Sequence, residues 1–513
     1  MRNNPYFIYT CLFTFLFLVL VFRPIEGEES QNVTFLKSSI PKNICLIYYG
    51  AGGRRDWQAE DFEPYITYKE SSTGKTFPLF DAFLLIEYRT TDGKLFWGGK
   101  NEEEVAKIEH WKGLAERWLS CLHSINECAG NLKSRSLLHQ NIGVIITIPE
   151  PDVKCTNFGT LPDSNTSLNF QKPEDRQKAI RWYIEQVCHH IEQAKYEHLD
   201  FIGFYWLAES ITNEMIPTVK ETAKIVHERG LNFFWIPFFT GNNIWVWKEL
   251  GFDYMFLQPN YFFNGDGGNR RLPLAGYRIQ QFQCGAEMEL DDRILTSEPH
   301  QLRFLQYLQA GNHFQWNTKP MAWYQSNDTI YQLATSKDEK LYEIYRNIVH
   351  FINNDYQPLT SLPPIEEYKI PDRSGKNWAH KNNGTKVTEP SSGFCLSMNP
   401  EWIIDGDIDN YSGTSGFGCC GIPGEITLLF PEAITLSRIQ LLLFNLDERY
   451  YQYRIELSED GQNWETVIDK TQGEYRNWQV DIISPHTARY LRVIPTYNSA
   501  KQNLFQIVEL EAY

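Results

Sequence analysis

Three carboxylates carry the chemistry that this sequence could do. Glu209 closes the apolar run FIGFYWLAES at 201–210, and Glu287 and Glu289 stand two apart in GAEMELDD at 285–292. Cleavage of a glycosidic bond needs two carboxyl groups flanking it, about 5–5.5 Å apart when one is a nucleophile and about 6.5–9.5 Å apart when it activates water. One must hold a proton near neutrality and the other must be ionised. Glu209 is therefore the candidate general acid/base and Glu289 its candidate partner. The period of two along a strand places Glu287 on the same face as Glu289, which makes it the rival partner. The structural alternatives are a helix cap or ion pair for Glu209 and a solvated charge run for Glu289, which precedes Asp291, Asp292 and Arg293.

A sugar presents flat C–H faces and hydroxyl edges, so aromatic platforms mixed with amides and carboxylates suit it. Candidate substrate-binding residues of this kind are Tyr49, Glu87, Glu150, Trp206, Gln258, Asn260, Tyr261, Glu287 and Trp323, each at the C-terminal end of an apolar run. The tryptophans are equally eligible for the core, where large aromatics are mostly found.

Eight apolar runs must position these residues: 44–50, 80–89, 141–151, 201–209, 232–239, 253–263, 283–291 and 319–325. Runs of strand length without polar alternation read as strands covered on both faces. Helical periodicity lies between them at 102–128, 173–198, 212–229, 244–250, 299–310 and 338–353. No good helix separates the first two strands, and NGDGGNRRLPLAGYRIQQ after the sixth reads mostly as loop. Alternating strands and helices imply parallel pairing with right-handed crossovers, and eight units close a (β/α)8 barrel over 40–354 whose chemistry sits at the strand C-termini. An open doubly wound sheet is the alternative architecture.

The chain has 513 residues, too many for one ordinary core, with 42% hydrophobic and 15% aromatic residues and a formal charge of −16. No basic cluster is present, which excludes a nucleic-acid partner. Residues 1–27 carry Arg2 and a long apolar stretch and read as a signal peptide, so the chain is expected to be exported to a periplasmic, cell-surface or extracellular site, with no other membrane segment. A single membrane anchor is the competing reading of that stretch. Removing the signal leaves nine of ten cysteines, an odd number. Cys121 and Cys128 sit two turns apart on one helix, about 10 Å by helix rise, and are expected to be core thiols. No CxxC or HExxH pattern exists, so no catalytic metal or other catalytic cofactor is expected.

After a Pro-rich linker at 355–376 the texture changes to short strands with turns, an antiparallel sandwich over 377–513. The motifs IIDGDID at 403–409, SEDGQNW at 458–464, ARYLRV at 488–493 and the closing IVELEAY make this part resemble the discoidin or coagulation-factor type C domain, a jelly roll common as a carbohydrate-binding module. That resemblance implies a structural calcium held by Asp405, Asp407 and Glu509. The N-terminal part, through YYGAGGR, TIPEP, GFYWLAES, QPNYF and GAEMELDD, resembles domain-of-unknown-function family 4855, which implies a glycoside-hydrolase-like barrel. An acid on strand four and a nucleophile on strand seven also resemble the large clan of retaining barrel glycosidases, although Ala208 stands where that clan carries Asn before its acid.

Two readings follow. The first is an exported glycoside hydrolase acting on a polysaccharide or glycan, held on it by the sandwich. The second is a non-catalytic glycan-binding or adhesion protein. An esterase is disfavoured because no GxSxG precedes a helix.

Overall fold

The computed structural model describes residues 40–51, 53–263, 270–388, 399–409, 418–444 and 449–513. Residues 1–27, expected to be a signal peptide, lie outside the described residues. The eight apolar runs form eight strands: β1 (Asn43–Tyr48), β2 (Ala82–Ile86), β3 (Ile142–Ile148), β4 (Leu199–Trp206), β5 (Asn232–Trp235), β6 (Tyr254–Leu257), β7 (Gly285–Glu289) and β8 (Met321–Tyr324). All pair in parallel in sequence order, and β1 returns to β8 through Asn43↔Met321 and Cys45↔Trp323, closing the barrel. Nearly every strand residue is buried because the outer face is covered by helices and the inner face by the other strands.

The helices are α1 (Ile108–Ser134), α2 (Pro173–Ala194), α3 (Ile216–Glu228), α4 (Arg271–Gln281), α5 (Glu298–His313), α6 (Thr329–Ala334) and α7 (Glu339–Ile352). In α1 the buried Trp111, Leu114, Ala115, Trp118, Leu122, Ile125 and Ala129 recur every three or four residues, giving one apolar stripe against the strands. Cys121 and Cys128 lie in that stripe as buried free thiols. The helix starts later than its periodicity predicts. Asn101 caps a separate 3-10 turn at Glu102–Glu104, accepting hydrogen bonds from the Glu103 and Glu104 amides, and the chain is extended at Val105 and Lys107 before α1 begins.

The predicted loop after β6 is corrected in its second half, where residues 271–281 form α4. The internal Gly276 obscures the helical pattern, yet a Cβ there would lie 2.7 Å from the Phe314 ring, so α4 needs glycine to pack on the end of α5. Between β1 and β2, as the sequence indicates, no full helix forms. A short turn at Glu63–Ile66 and a small hairpin of Thr67–Lys69 with Thr76–Pro78 fill the interval.

The second part is an antiparallel sandwich of β9 (Lys386–Thr388), β10 (Gly418–Gly421), β11 (Ile426–Leu443), β12 (Tyr451–Ser458), β13 (Glu465–Tyr475), β14 (Trp478–Asn498) and β15 (Leu504–Ala512). Register shifts between Leu429 and Ile434 and between Leu436 and Arg438 bend the long β11. Such breaks let one strand contribute to both layers. Its core holds Leu428, Phe430, Leu441, Tyr453, Leu457, Leu491 and Phe505. Segment 355–376 contains no regular element, but Tyr356, Leu362 and Ile365 are buried against the barrel core, which Ile408, Leu442 and Val508 of the second part also join. Among the described residues no helix is long and apolar enough to cross a membrane.

Candidate active site

Glu209 lies three residues beyond β4, where its backbone is pinned from β5 and the segment that follows β5. The Trp235 indole N–H donates to the Ala208 carbonyl at 2.8 Å, and the Phe238 amide donates to the Glu209 carbonyl at 3.0 Å. These bonds fix the Glu209 backbone at the barrel mouth. On the other side, β7 pairs with β8 through Ala322↔Glu287 and Tyr324↔Glu289, so both acids of β7 project in the same direction. All three carboxylates line one cavity of about 240 Å³, together with Leu46, Tyr48, Ile86, Tyr205, Phe238, Gln258, Asn260, Phe263 and Tyr324.

The three acids have different surroundings. Both hydrogen bonds to Glu289 go to Oε2: the Tyr307 hydroxyl donates at 2.6 Å and the Asn260 amide at 2.6 Å. Asn260 has a left-handed backbone, φ 57°, and asparagine accepts that conformation more readily than most residues. Burial pushes the Glu289 carboxyl up to about 7, opposed by those two donors and assisted by the charge of Glu209. Glu209 is also raised by burial, opposed by a hydrogen bond with the Gln258 side chain. Glu287 is raised well above the ordinary carboxyl range by burial, then by Glu289 and Glu209, and its carboxyl has no hydrogen-bond partner among the described residues.

Of the residues expected to bind substrate, Gln258, Asn260 and Glu287 reach the cavity. The others lie outside its lining. Trp206 and Trp323 are fully buried in the barrel core, Trp206 against Phe233 and Trp323 against Phe80 and Phe351. Tyr261 donates its hydroxyl to Gln306 at 2.5 Å. Tyr49 is half-buried against the core. Glu87 is inaccessible and accepts a two-pronged bond from Arg54, at 2.9 and 3.0 Å. That pair places the guanidinium 4.0 Å from the centroid of the Tyr48 ring, so Glu87 orients a cavity wall at one remove. Glu150 is half-buried, its carboxyl pushed up to about 8 by burial and the charge of Asp152.

Three of the five lining aromatics are one place away from residues selected: Tyr48 beside Tyr49, Tyr205 beside Trp206, Tyr324 beside Trp323. The period of two puts Tyr205 and Trp206 on opposite faces of β4, so one of the two adjacent aromatics had to face inward. Phe238 and Phe263 stand at the ends of the apolar runs 232–239 and 253–263, whereas Tyr307 reaches the site from α5 and had no comparable signal.

Asp405, Asp407 and Glu509 do not by themselves form a calcium cage. The Asp405 carboxylate accepts the Asp407 amide at 3.0 Å and lies 3.8 Å from Lys381, while both Glu509 oxygens accept the Gly406 amide. Among the described residues no group of three or more His, Cys, Asp or Glu could hold a metal ion.

The family model described as "Domain of unknown function (DUF4855)" matches residues 43–350, and that described as "F5/8 type C domain" matches residues 386–510. BTB/POZ domain-containing protein 9 of Drosophila melanogaster is 33% identical over 110 residues, 21% of this chain and 15% of that protein. Its Homo sapiens counterpart is 31% identical over 117 residues, 23% of this chain and 19% of that protein. The chain thus spans less than a fifth of the length of these curated relatives. Among solved structures, CpGH89CBM32-5 from Clostridium perfringens, in complex with GalNAc-beta-1,3-galactose, is 14% identical, covers 27% of this chain and 99% of that one, and has a TM-score of 0.23. The CBM32 of AlyQ in complex with 4,5-unsaturated mannuronic acid is 23% identical, covers 25% and 93%, and has a TM-score of 0.22.

Proposed function

Because the chain belongs to the DUF4855 family, whose description assigns no reaction, we propose from the site itself that it is a glycoside hydrolase acting on a complex glycan. The observation that carries this reading is the sharing of one aromatic-walled cavity by carboxyls from β7 and from the end of β4. Glu209, protonated more readily than an ordinary carboxyl, donates a proton to the glycosidic oxygen. Glu289, its ionised form stabilised by Tyr307 and Asn260, acts as nucleophile or activates water. Phe238, more than a third exposed, offers a ring face to the sugar at the mouth.

The F5/8 type C part is the proposed glycan-binding module, raising the substrate's local concentration without adding catalytic contacts. Such a substrate fits an exported protein with residues 1–27 as its signal. Purified full-length protein incubated with a panel of plant and host glycans should release reducing ends. Binding to a glycan with no release from any member of the panel would replace this reading with the adhesion one.

A further inference from the structure

Resting on that reading of the site, we propose that the cavity selects an amino sugar whose nitrogen is a free ammonium, as in a glucosamine glycan. Among the described residues the lining contains three carboxyl groups and no Lys, Arg or His. The cations nearby act from behind it. Arg54 is committed to Glu87, and Arg271 stacks on Phe239 while lowering the proton affinity of Glu289 from outside the lining.

Two buried groups face this space without a protein partner among the described residues. The Glu287 carboxyl belongs to a residue only 3% exposed, and the Tyr205 phenol to one 2% exposed; both line the cavity. Glu289 is held by Tyr307 and Asn260 and Glu209 by Gln258, which makes Glu287 the surplus acid. Neither the acid nor the nucleophile role needs it. Each acid makes ionisation of Glu287 harder, so the empty cavity tends to hold protons. An ammonium supplies the same relief, with three donors and no acceptor, whereas a hydroxyl also brings lone pairs toward the carboxylates. Arg54 and Arg293 already lie over the rings of Tyr48 and Phe263, and Tyr324, packed edge-to-face with both, is the wall aromatic that offers the ligand cation a ring. The volume of about 240 Å³ lies below that of most small-molecule pockets and suits one sugar ring.

The test is a calorimetric titration of the full chain with a glucosamine oligosaccharide, its N-acetylated counterpart and the matching glucose oligosaccharide, at neutral pH. The amine should bind about 10–100-fold more tightly than either neutral ligand, the effect of one charged hydrogen bond. Glu287→Gln should abolish most of that preference. Equal affinities, tighter binding of a neutral ligand, or no binding by any of the three overturns the proposal, and the unmodified protein suffices for each of these outcomes. Reducing-end release from the same glycans separates the two levels of inference. Amine preference without release removes the hydrolase reading alone, and release without preference removes the amino-sugar proposal alone.

Discussion

Replacing Tyr307 by Phe keeps the ring in place and removes one of the two donors on Glu289 Oε2, together with a longer contact of the same hydroxyl, 3.2 Å, to the Glu287 carbonyl. The lost bond is 2.6 Å long, buried and directed at a carboxylate. Hydrogen bonds to charged groups contribute about 1.5–3 kcal/mol, and one pKa unit corresponds to about 1.36 kcal/mol, so the Glu289 carboxyl should rise by roughly 1–2 units. Its starting point is about 7. At that pH the ionised fraction would fall from about one half to roughly 1–10%. On a cleaved glycan, the acidic limb of kcat/KM should therefore move to higher pH by about 1–2 units, with activity at neutral pH down roughly 5–50-fold. Because Glu287 and Glu289 interact, the limb reports the pair. A limb that stays in place, or moves toward acid, would refute the role given to this bond.

Glu150 tests burial without catalysis. Its folded value of about 8 exceeds the ordinary 4.5, so its contribution to stability is fully present below about pH 4.5 and is lost as the pH rises through 8. Glu150→Gln should match the parent in acid and exceed it above pH 8 by about 2–4 kcal/mol in denaturant melts, after discounting for partial exposure. Arg278 on α4 joins the two parts, its buried guanidinium donating to the Phe239 carbonyl at 2.7 Å and to the Asp409 carbonyl at 3.0 Å. Arg278→Met should lower unfolding stability by about 1–3 kcal/mol and increase proteolysis of segment 355–376; an unchanged melt and cleavage pattern would mean that these bonds do not hold the parts together.

The barrel was legible because fully buried parallel strands leave long apolar runs, and Glu209, Glu287 and Glu289 interrupt such runs at their ends. The same burial hides which side each neighbour faces. With no polar alternation, Trp206 and Trp323 looked as eligible for the cavity as Tyr205 and Tyr324, and the structure puts the tryptophans in the core. Glu87 was legible as a polar strand end, but its partner Arg54 lies 33 residues earlier in an irregular loop, where spacing carries no contact information. Tyr307 reaches Glu289 from α5, a contact set by packing across the barrel wall. α4 was obscured because Gly276 and Pro273 weaken helix propensity, whereas its buried Leu272, Ala275 and Ile279 supply the packing that forms it.

The central claim is that Glu209 and Glu289 form one hydrolytic unit. Its most direct test is reducing-end release by Glu209→Gln, Glu289→Gln and the double variant, each checked for an intact thermal melt. Residues acting as a unit lose function non-additively. The account expects turnover to vanish in both single variants and the double variant to be no worse than the poorer single one. A near-normal rate in either single variant would contradict it.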